Sequence, residues 1–443
     1  MKVTAIFDIG KTNKKFFLFD KNFREVYKEI RQFEEIQDED GFPCDDLPAI
    51  EKWMKTTLKK QIKKGKFDIA GINFSTYGAS FVHIDRKGKV LSPLYNYLKP
   101  YPEELLNGFY EKYGDAMTFA RQTASPPLGM LNSGLQLYWI KHRKSKLFNK
   151  IHWSLHLPQY LSFVLTGIPL SDYTSIGCHT SLWSFEKQDY HPWVYAEGID
   201  RILPPVVDAA ISINKNFLGK KRKVGVGIHD SSAALIPYLL ADKNPFLLIS
   251  TGTWSIVLNP FSKETLSDET VRASRLFLGN EYDMQVKKLC EYFGKSPEYH
   301  KNIRLDQYIL SKLKTDYYKK FKLESIDLAS QQQEETAFNH FVSFEEAYHQ
   351  LLLELAELQI HSVKRALGKT RISKIYIDEG FAENEIFTTL LSDHFKNYKL
   401  RSTKSPLGSA LGAAMIITKE PVDKRFLKKQ YGLRKFRPLF LKR

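Results

Sequence analysis

One pattern occurs twice in this chain, once at the amino terminus and again just past the middle. Residues 3–7 are apolar, a polar turn runs from Asp8 to Lys15, and residues 16–19 are apolar again. Residues 245–249 repeat the apolar run, Ser250-Thr251-Gly252-Thr253 makes a second tight turn, and Trp254-Ser255-Ile256-Val257-Leu258 closes it. Apolar runs this short, joined by a glycine-bearing turn, read as strand, turn, strand. Gly10 and Gly252 hold equivalent places. An internal repeat of this kind predicts two similar α/β domains, 1–240 and 241–443, each opening on a hairpin whose turn faces one shared cleft.

The first turn, Asp8-Ile9-Gly10-Lys11-Thr12-Asn13-Lys14-Lys15, holds a carboxylate, a glycine, a hydroxyl, an amide and three lysines. A carboxylate holds a hydrated magnesium ion, glycine lets backbone N–H groups approach an anion, and lysine supplies a point charge. A nucleotide triphosphate needs all of these. The same residues also suit a plain β-hairpin with a solvated basic turn, and the stretch alone does not choose.

The stretches between carry α/β signals. Leu47, Ile50, Met54, Leu58 and Ile62 mark one helix face, with Asp45 as the expected N-cap. Residues 67–74 read as a strand, so strand, helix and strand form a parallel crossover. That strand ends in Ser75-Thr76-Tyr77-Gly78-Ala79-Ser80, at the carboxyl edge where open α/β sheets bind ligands. Tyr77 there is either a stacking surface for a sugar or a packing aromatic. Residues 121–147 carry Leu128, Leu131, Leu135 and Tyr138 at helical spacing, and 157–165 repeat it before a Gly167 stop. Residues 173–184 read as a hydroxyl-rich loop with Trp183.

Lys223-Val224-Gly225-Val226-Gly227-Ile228-His229-Asp230 is a glycine-interleaved strand running into a helix start. Asp230 is placed either to accept a proton or to cap that helix. Residues 294–340, with Gln331-Gln332-Gln333-Glu334-Glu335, are expected at the periphery. Ser343 and Glu346 form a capping box for a helix ending at Gly368. A strand over 372–377 leads into Asp378-Glu379-Gly380-Phe381, a helix covers 383–395, and residues 406–414 start a last helix of small residues. Its two glycines imply close packing of another element or a flat ligand.

Composition excludes other classes. The net charge is +16, but residues 419–443 carry ten Lys/Arg and two acids, half of the surplus. No helix-turn-helix, zinc finger or aromatic-interleaved basic motif appears, so no nucleic-acid partner is expected. No apolar run approaches the ~20 residues of a membrane span, and Asp8 breaks the first run too early for a secretory leader. Cys44, Cys178 and Cys290 are sparse and in no ligand spacing, which fits free thiols in a cytoplasm.

Six segments together resemble the FGGY family of carbohydrate kinases, within the actin/hexokinase/heat-shock-protein-70 ATPase superfamily, and most resemble its rhamnulokinase and fuculokinase branch. They are Asp8-Ile9-Gly10-Lys11-Thr12-Asn13, Ser75-Thr76-Tyr77-Gly78-Ala79, Leu157 through Gly167, His229-Asp230-Ser231-Ser232-Ala233, Ser250-Thr251-Gly252-Thr253-Trp254-Ser255 and Glu379-Gly380-Phe381-Ala382-Glu383-Asn384. Residues 406–414 add a weaker seventh. The resemblance implies two actin-like, ribonuclease-H-like domains flanking a nucleotide cleft. It implies ATP and Mg2+, with Asp8 holding the metal through water and Gly10, Lys11, Thr12 and Asn13 at the phosphates. Thr251, Gly252 and Thr253 would hold the terminal phosphate, and Gly380, Asn384 and Gly408 would border the adenine. Asp230 would be the general base, with Tyr77, Gly78 and His229 facing a sugar.

Four departures stand out. Glu379 falls where the family carries a glycine run, Lys11 where a threonine or serine is common, and Gln159 where rhamnulokinases often carry aspartate. Residues 95–100 lack the usual Asp-x-Arg. The implied activity is ATP-dependent phosphorylation of a small sugar, a ketose such as L-rhamnulose or L-fuculose. The rival from another class is a sugar- or nucleotide-sensing regulator on the same scaffold, which Glu379 favours. The oligomeric state is not legible.

Overall fold

A computed structural model describes residues 1–264, 273–315, 317–326, 335–403, 408–418, 420–422, 425–430 and 432–436. The expectations for residues 331–334, for 406–407 and for much of the basic end lie outside the described residues. The chain forms two compact units, Met1–Pro237 with Leu407–Pro421, and Tyr238–Pro406 with Val422–Arg443.

The first unit is built on a mixed sheet. Lys2–Ile9 is central, antiparallel to Lys14–Asp20, which is antiparallel to Glu25–Arg31. On its other side Lys2–Ile9 runs parallel to Asp68–Thr76, which pairs in parallel with Lys220–Gly225 and Ile228–His229. Ser212–Phe217 closes that edge. Phe16, Phe17, Leu18 and Phe19 are all fully buried. Consecutive side chains point to opposite faces, so both faces of this sheet are covered, and its run is apolar rather than alternating.

The crossover helix is Leu47–Lys64, with Leu47, Ile50, Trp53, Met54 and Leu58 buried. Each such side chain contributes about 1.5–3 kcal/mol of burial. Its N-cap is Asp46, which accepts from the Ala49 N–H, and not the expected Asp45. Asp45 lies one residue earlier, inside the unit. Gly65 and Gly167 end their helices in the left-handed conformation, Gly167 as expected. The helical spacing over 121–147 does not give one helix. Ala116–Thr123 stops at Ala124 (φ 50°), and Ser133–Arg143 starts anew. Pro126 and Pro127 between them forbid continuation. Residues 173–184 are likewise not all loop: Asp172 caps a short helix, Tyr173–Ile176, and Trp183–Ser184 pairs with Asp189–Tyr190.

The second unit repeats the plan. Phe246–Thr251 is central, antiparallel to Ser255–Leu258, which pairs with Ala273–Leu276. Its parallel side is Lys374–Glu379, then Lys399–Ser402. The strand order therefore matches that of the first unit through five strands, and the repeat extends from the hairpins to whole sheets. Ser343 accepts from the Glu346 N–H, Glu346 accepts from the Val342 N–H, and Phe344–Leu367 runs to a Gly368 cap. The described part of 294–340 is not all peripheral: Leu310, Phe321, Leu323 and Ile326 belong to this unit's buried core.

The small-residue helix Gly408–Thr418 belongs to the first unit, although the expected division put it in the second. The Asn73 amide donates to Ala413 O at 2.8 Å, and a Cβ on Gly412 would stand 1.8 Å from Ala233 O. The close partner implied by its glycines is thus the helix Asp230–Ala241.

Candidate active site

Three strand ends meet in the first unit. Asp8 lies opposite Lys15 on one side and Ser75 on the other, and Ser75 lies opposite Ile228. Asp230 is the first residue of the helix that follows Ile228–His229. Parallel strands end at one edge, so Asp8, Tyr77-Gly78 and His229-Asp230 arrive together at the carboxyl edge.

Asp8 is buried, accepts from the Ser409 hydroxyl at 2.9 Å and lies 3.9 Å from Lys15 Nζ. Burial raises its pKa above the usual carboxylate value. Lys15 and Ser409 oppose the rise, and the Asp230 charge adds to it. Two carboxylates that repel in this way are relieved by a divalent cation. An all-oxygen donor set of carboxylate and hydroxyl fits Mg2+. The Gly10 N–H donates to Asn13 O at 3.0 Å, and a Cβ on Gly10 would stand 3.1 Å from that oxygen, so the turn is tight.

The lysines of the turn are held from beneath. Asp45 accepts from Lys14 at 2.6 Å, from Lys11 at 2.8 Å and from the Tyr77 hydroxyl at 2.7 Å. Lys11 also reaches Glu35 at 2.8 Å. The Lys11 ammonium, assigned to nucleotide by resemblance, is therefore engaged by two carboxylates, and the Tyr77 phenol is engaged by Asp45. Burial works to raise the Asp45 pKa, but the two lysines outweigh it and hold the group below the ordinary aspartate value. Nothing in the sequence marked Asp45 as more than a cap.

Around Asp230 the packing is close. A Cβ on Gly78 would stand 2.6 Å from His229 Nε2, so that ring lies against a glycine backbone. His229 Nε2 is 3.5 Å from Asp230 Oδ1. Asp230 accepts from the Ser231 N–H at 2.5 Å and keeps 35% of its side chain exposed. It is both a helix-start acceptor and an accessible carboxylate. The His229 N–H donates to Thr174 Oγ1, whose hydroxyl donates to Asp172, and Asp172 accepts from Gln159. Gln159 is thus a buried brace behind His229. Asp172 carries no motif that sequence reading could find, and Thr174 and Ser409 lie in stretches that the sequence marked without singling either residue out.

In the second unit, the Gly252 N–H donates to Trp254 O at 2.9 Å and forms the expected tight turn. The Thr251 hydroxyl is fully buried, donates to Asp378 O at 2.7 Å and accepts from the Phe381 N–H at 2.9 Å. It ties two strand ends together. Thr253 O accepts from the N–H groups of Gly279 and Asn280. Gly380 approaches Thr251 so closely that a Cβ would stand 2.9 Å from its carbonyl oxygen. Asn384 caps the helix Glu385–His394 by accepting from the Phe387 N–H, and it donates to the Tyr348 hydroxyl. Gly408 opens the helix that carries Ser409, in the first unit.

A family model described as the N-terminal domain of the FGGY family of carbohydrate kinases matches residues 3–230. The chain belongs to the FGGY family. The rhamnulokinase of Halalkalibacterium halodurans is 24% identical over 271 residues, 58% of this chain and 56% of that protein. The chain thus spans about half the length of the curated relatives it matches. The solved structure of a carbohydrate kinase from Novosphingobium aromaticivorans aligns with TM-score 0.77 at 20% identity, over 99% of this chain and 97% of the other. Ligand-bound xylulose kinase from Lactobacillus acidophilus gives TM-score 0.80 at 15% identity, over 99% and 94%. At these identities the likeness is one of fold: the two-domain, actin-like α/β architecture of FGGY kinases.

Glu379, one of the four departures, is also a backbone anomaly. Glu379 has φ 64° and ψ −147°, a region that is essentially glycine's alone. Its Oε2 lies 3.4 Å from where a Cβ on Gly252 would stand. A carboxylate therefore sits against the Gly252 turn, on a residue whose backbone conformation suits glycine.

Proposed function

We propose that this chain is an ATP-dependent sugar kinase acting on a small ketose such as L-rhamnulose or L-fuculose. The observation that carries the reading is the convergence of Asp8 and Asp230 at one sheet edge, with Asp230 accessible at a helix start. Asp8 would hold Mg2+ through water, and that ion would neutralise charge on the phosphates. By the family resemblance, the 10–13 turn of the first unit and the 251–253 turn of the second would each serve phosphate, and Gly380, Asn384 and Gly408 would serve the adenine. His229 and the Gly78 backbone position the sugar.

In the transfer, a sugar hydroxyl oxygen bonds to the terminal phosphorus, and the bond from that phosphorus to the bridging oxygen breaks. ADP leaves, and the hydroxyl proton goes to Asp230. Phosphoryl transfer is mostly positioning and charge neutralisation, so Asp230 needs reach more than a high pKa. Cys44, Cys178 and Cys290 are buried and in no disulfide, which supports the reading of a reducing cytoplasm, and among the described residues no helix is long and apolar enough to cross a membrane.

Glu379 favours a second reading, a sensor that binds sugar without turnover. One experiment separates the two. With Mg-ATP and a panel of pentuloses and 6-deoxyhexuloses, a kinase releases ADP only with its sugar. A sensor binds a sugar by calorimetry and releases none.

A further inference from the structure

Beside Asp230 lies a cluster of which the proposed transfer uses only His229. Cys178, His179 and His229 are all buried, and each offers one ligand atom within 4.8 Å of the others. Cys178 Sγ is 3.3 Å from His229 Nε2. His179 Nδ1 lies 3.0 Å from Leu131 O. A carbonyl can only accept, so that contact fixes the proton on Nδ1 and leaves Nε2 as the lone-pair nitrogen. The same arrangement orients histidines that bind metals, where the second ring nitrogen donates to a backbone carbonyl.

The donor set is one sulfur and two imidazole nitrogens. Hard cations such as Mg2+ do not select it, while Zn2+ does. By the usual zinc bond lengths, neighbouring donors in a tetrahedral site stand roughly 3.3–3.8 Å apart. The trio already has one such separation and needs to contract by about an ångström elsewhere. Three protein donors also leave one position open for water or another oxygen.

We infer that Cys178, His179 and His229 form a Zn2+ site that shares His229 with the sugar site, so that zinc and sugar exclude each other. The metal site itself stands on geometry alone. The exclusion rests on the sugar-kinase reading, because only there is His229 a sugar contact. A zinc ion on His229 Nε2 occupies the nitrogen that lies against Gly78 and faces Asp230. The sugar then loses one wall of its pocket, and turnover stops without any change at the nucleotide.

Cobalt reads the site directly. Co2+ added to the full chain is expected to give a thiolate-to-metal charge-transfer band and intense visible bands of a tetrahedral ion, and one equivalent of Zn2+ should bleach them. Cys178→Ser should abolish the charge-transfer band, and His179→Gln should weaken Zn2+ binding at least about tenfold. The second variant keeps the test open if the first does not fold. Absent bands, or bands unchanged in both variants, overturn the site and leave a plain thiol–imidazole hydrogen bond. In the turnover assay, Zn2+ should inhibit wild type competitively with sugar, and Cys178→Ser should keep basal turnover while losing that inhibition. Inhibition that sugar does not relieve overturns the exclusion. Cobalt bands in a chain with no turnover on any sugar uphold the metal site and sink the kinase reading instead.

Discussion

The Ser409 hydroxyl donates to Asp8 Oδ1 at 2.9 Å, although 401 residues of chain separate them. The helix Gly408–Thr418 returns to the first unit and delivers that hydroxyl to the carboxylate proposed to hold magnesium. A hydrogen bond to a charged group is worth about 1.5–3 kcal/mol. Ser409→Ala is expected to raise the Mg2+ concentration for half-maximal turnover about tenfold, and Ser409→Thr to restore it. A loss of thermal stability with an unchanged Mg2+ dependence would show that Ser409 only packs.

Asp230 accepts from Ser231 yet stays partly exposed at the sheet edge. General-base assistance contributes about 100- to 10,000-fold. Asp230→Asn is expected to lower kcat by that range while nucleotide affinity by calorimetry stays within about twofold. Turnover close to wild type would remove it as the base.

Much of this was legible in the chain itself. The doubled strand–turn–strand pattern foretold a hairpin opening each of two similar α/β units, because apolar runs and glycine turns are local signals. Ser343, Gly167 and Gly368 announced helix ends for the same reason. Asp45, Asp172 and Ser409 were silent. Each is a common residue whose partner arrives through a crossover or a long return, and spacing along the chain carries no trace of that. Cys178 and His229 are likewise distant in sequence and adjacent only once the strand Ile228–His229 docks. Asp45 shows how a local rule misleads: it lies one residue from the true cap, and its carboxylate was needed elsewhere.

Lys14, whose side chain is about 2% exposed, donates to that carboxylate at 2.6 Å. Removing one member of a buried pair leaves an uncompensated charge and costs about 3–5 kcal/mol. Asp45→Asn is therefore expected to lower the urea midpoint sharply, and adding Lys14→Met should recover part of the loss. If the double variant is no more stable than the single one, the cost lies in lost contacts and not in the stranded lysine.

His83 gives a pH signature. It is fully buried on the strand Phe81–Ile84, bonded to Ser154, and burial lowers its pKa from 6.5 to about 3. The folded chain keeps it neutral while the unfolded chain takes up a proton below about pH 6.5. Its contribution is complete above that value and is lost as pH falls toward 3, with a slope approaching about 1.4 kcal/mol per pH unit. Urea midpoints at about pH 7 and pH 5 should diverge less in His83→Gln than in wild type. Equal slopes would mean that His83 is protonated in the fold.

Glu379 joins two costs that different substitutions separate. Its backbone conformation costs about 1–3 kcal/mol for any residue with a Cβ. Its carboxylate, near Gly252, puts negative charge where phosphates are proposed to bind. At the effective dielectric of a protein surface, a unit charge several ångströms away is worth on the order of 1–3 kcal/mol. Glu379→Gly removes both costs, although glycine's freedom in the unfolded chain takes back about 0.5–1 kcal/mol. Glu379→Ala removes only the charge. Both variants are expected to bind nucleotide about tenfold more tightly or better, whereas only the glycine variant should gain thermal stability. Tighter binding confined to the glycine variant would assign the effect to backbone strain at the turn. Unchanged affinity in both would mean that the carboxylate does not face the phosphates, and the sensor reading would lose its support.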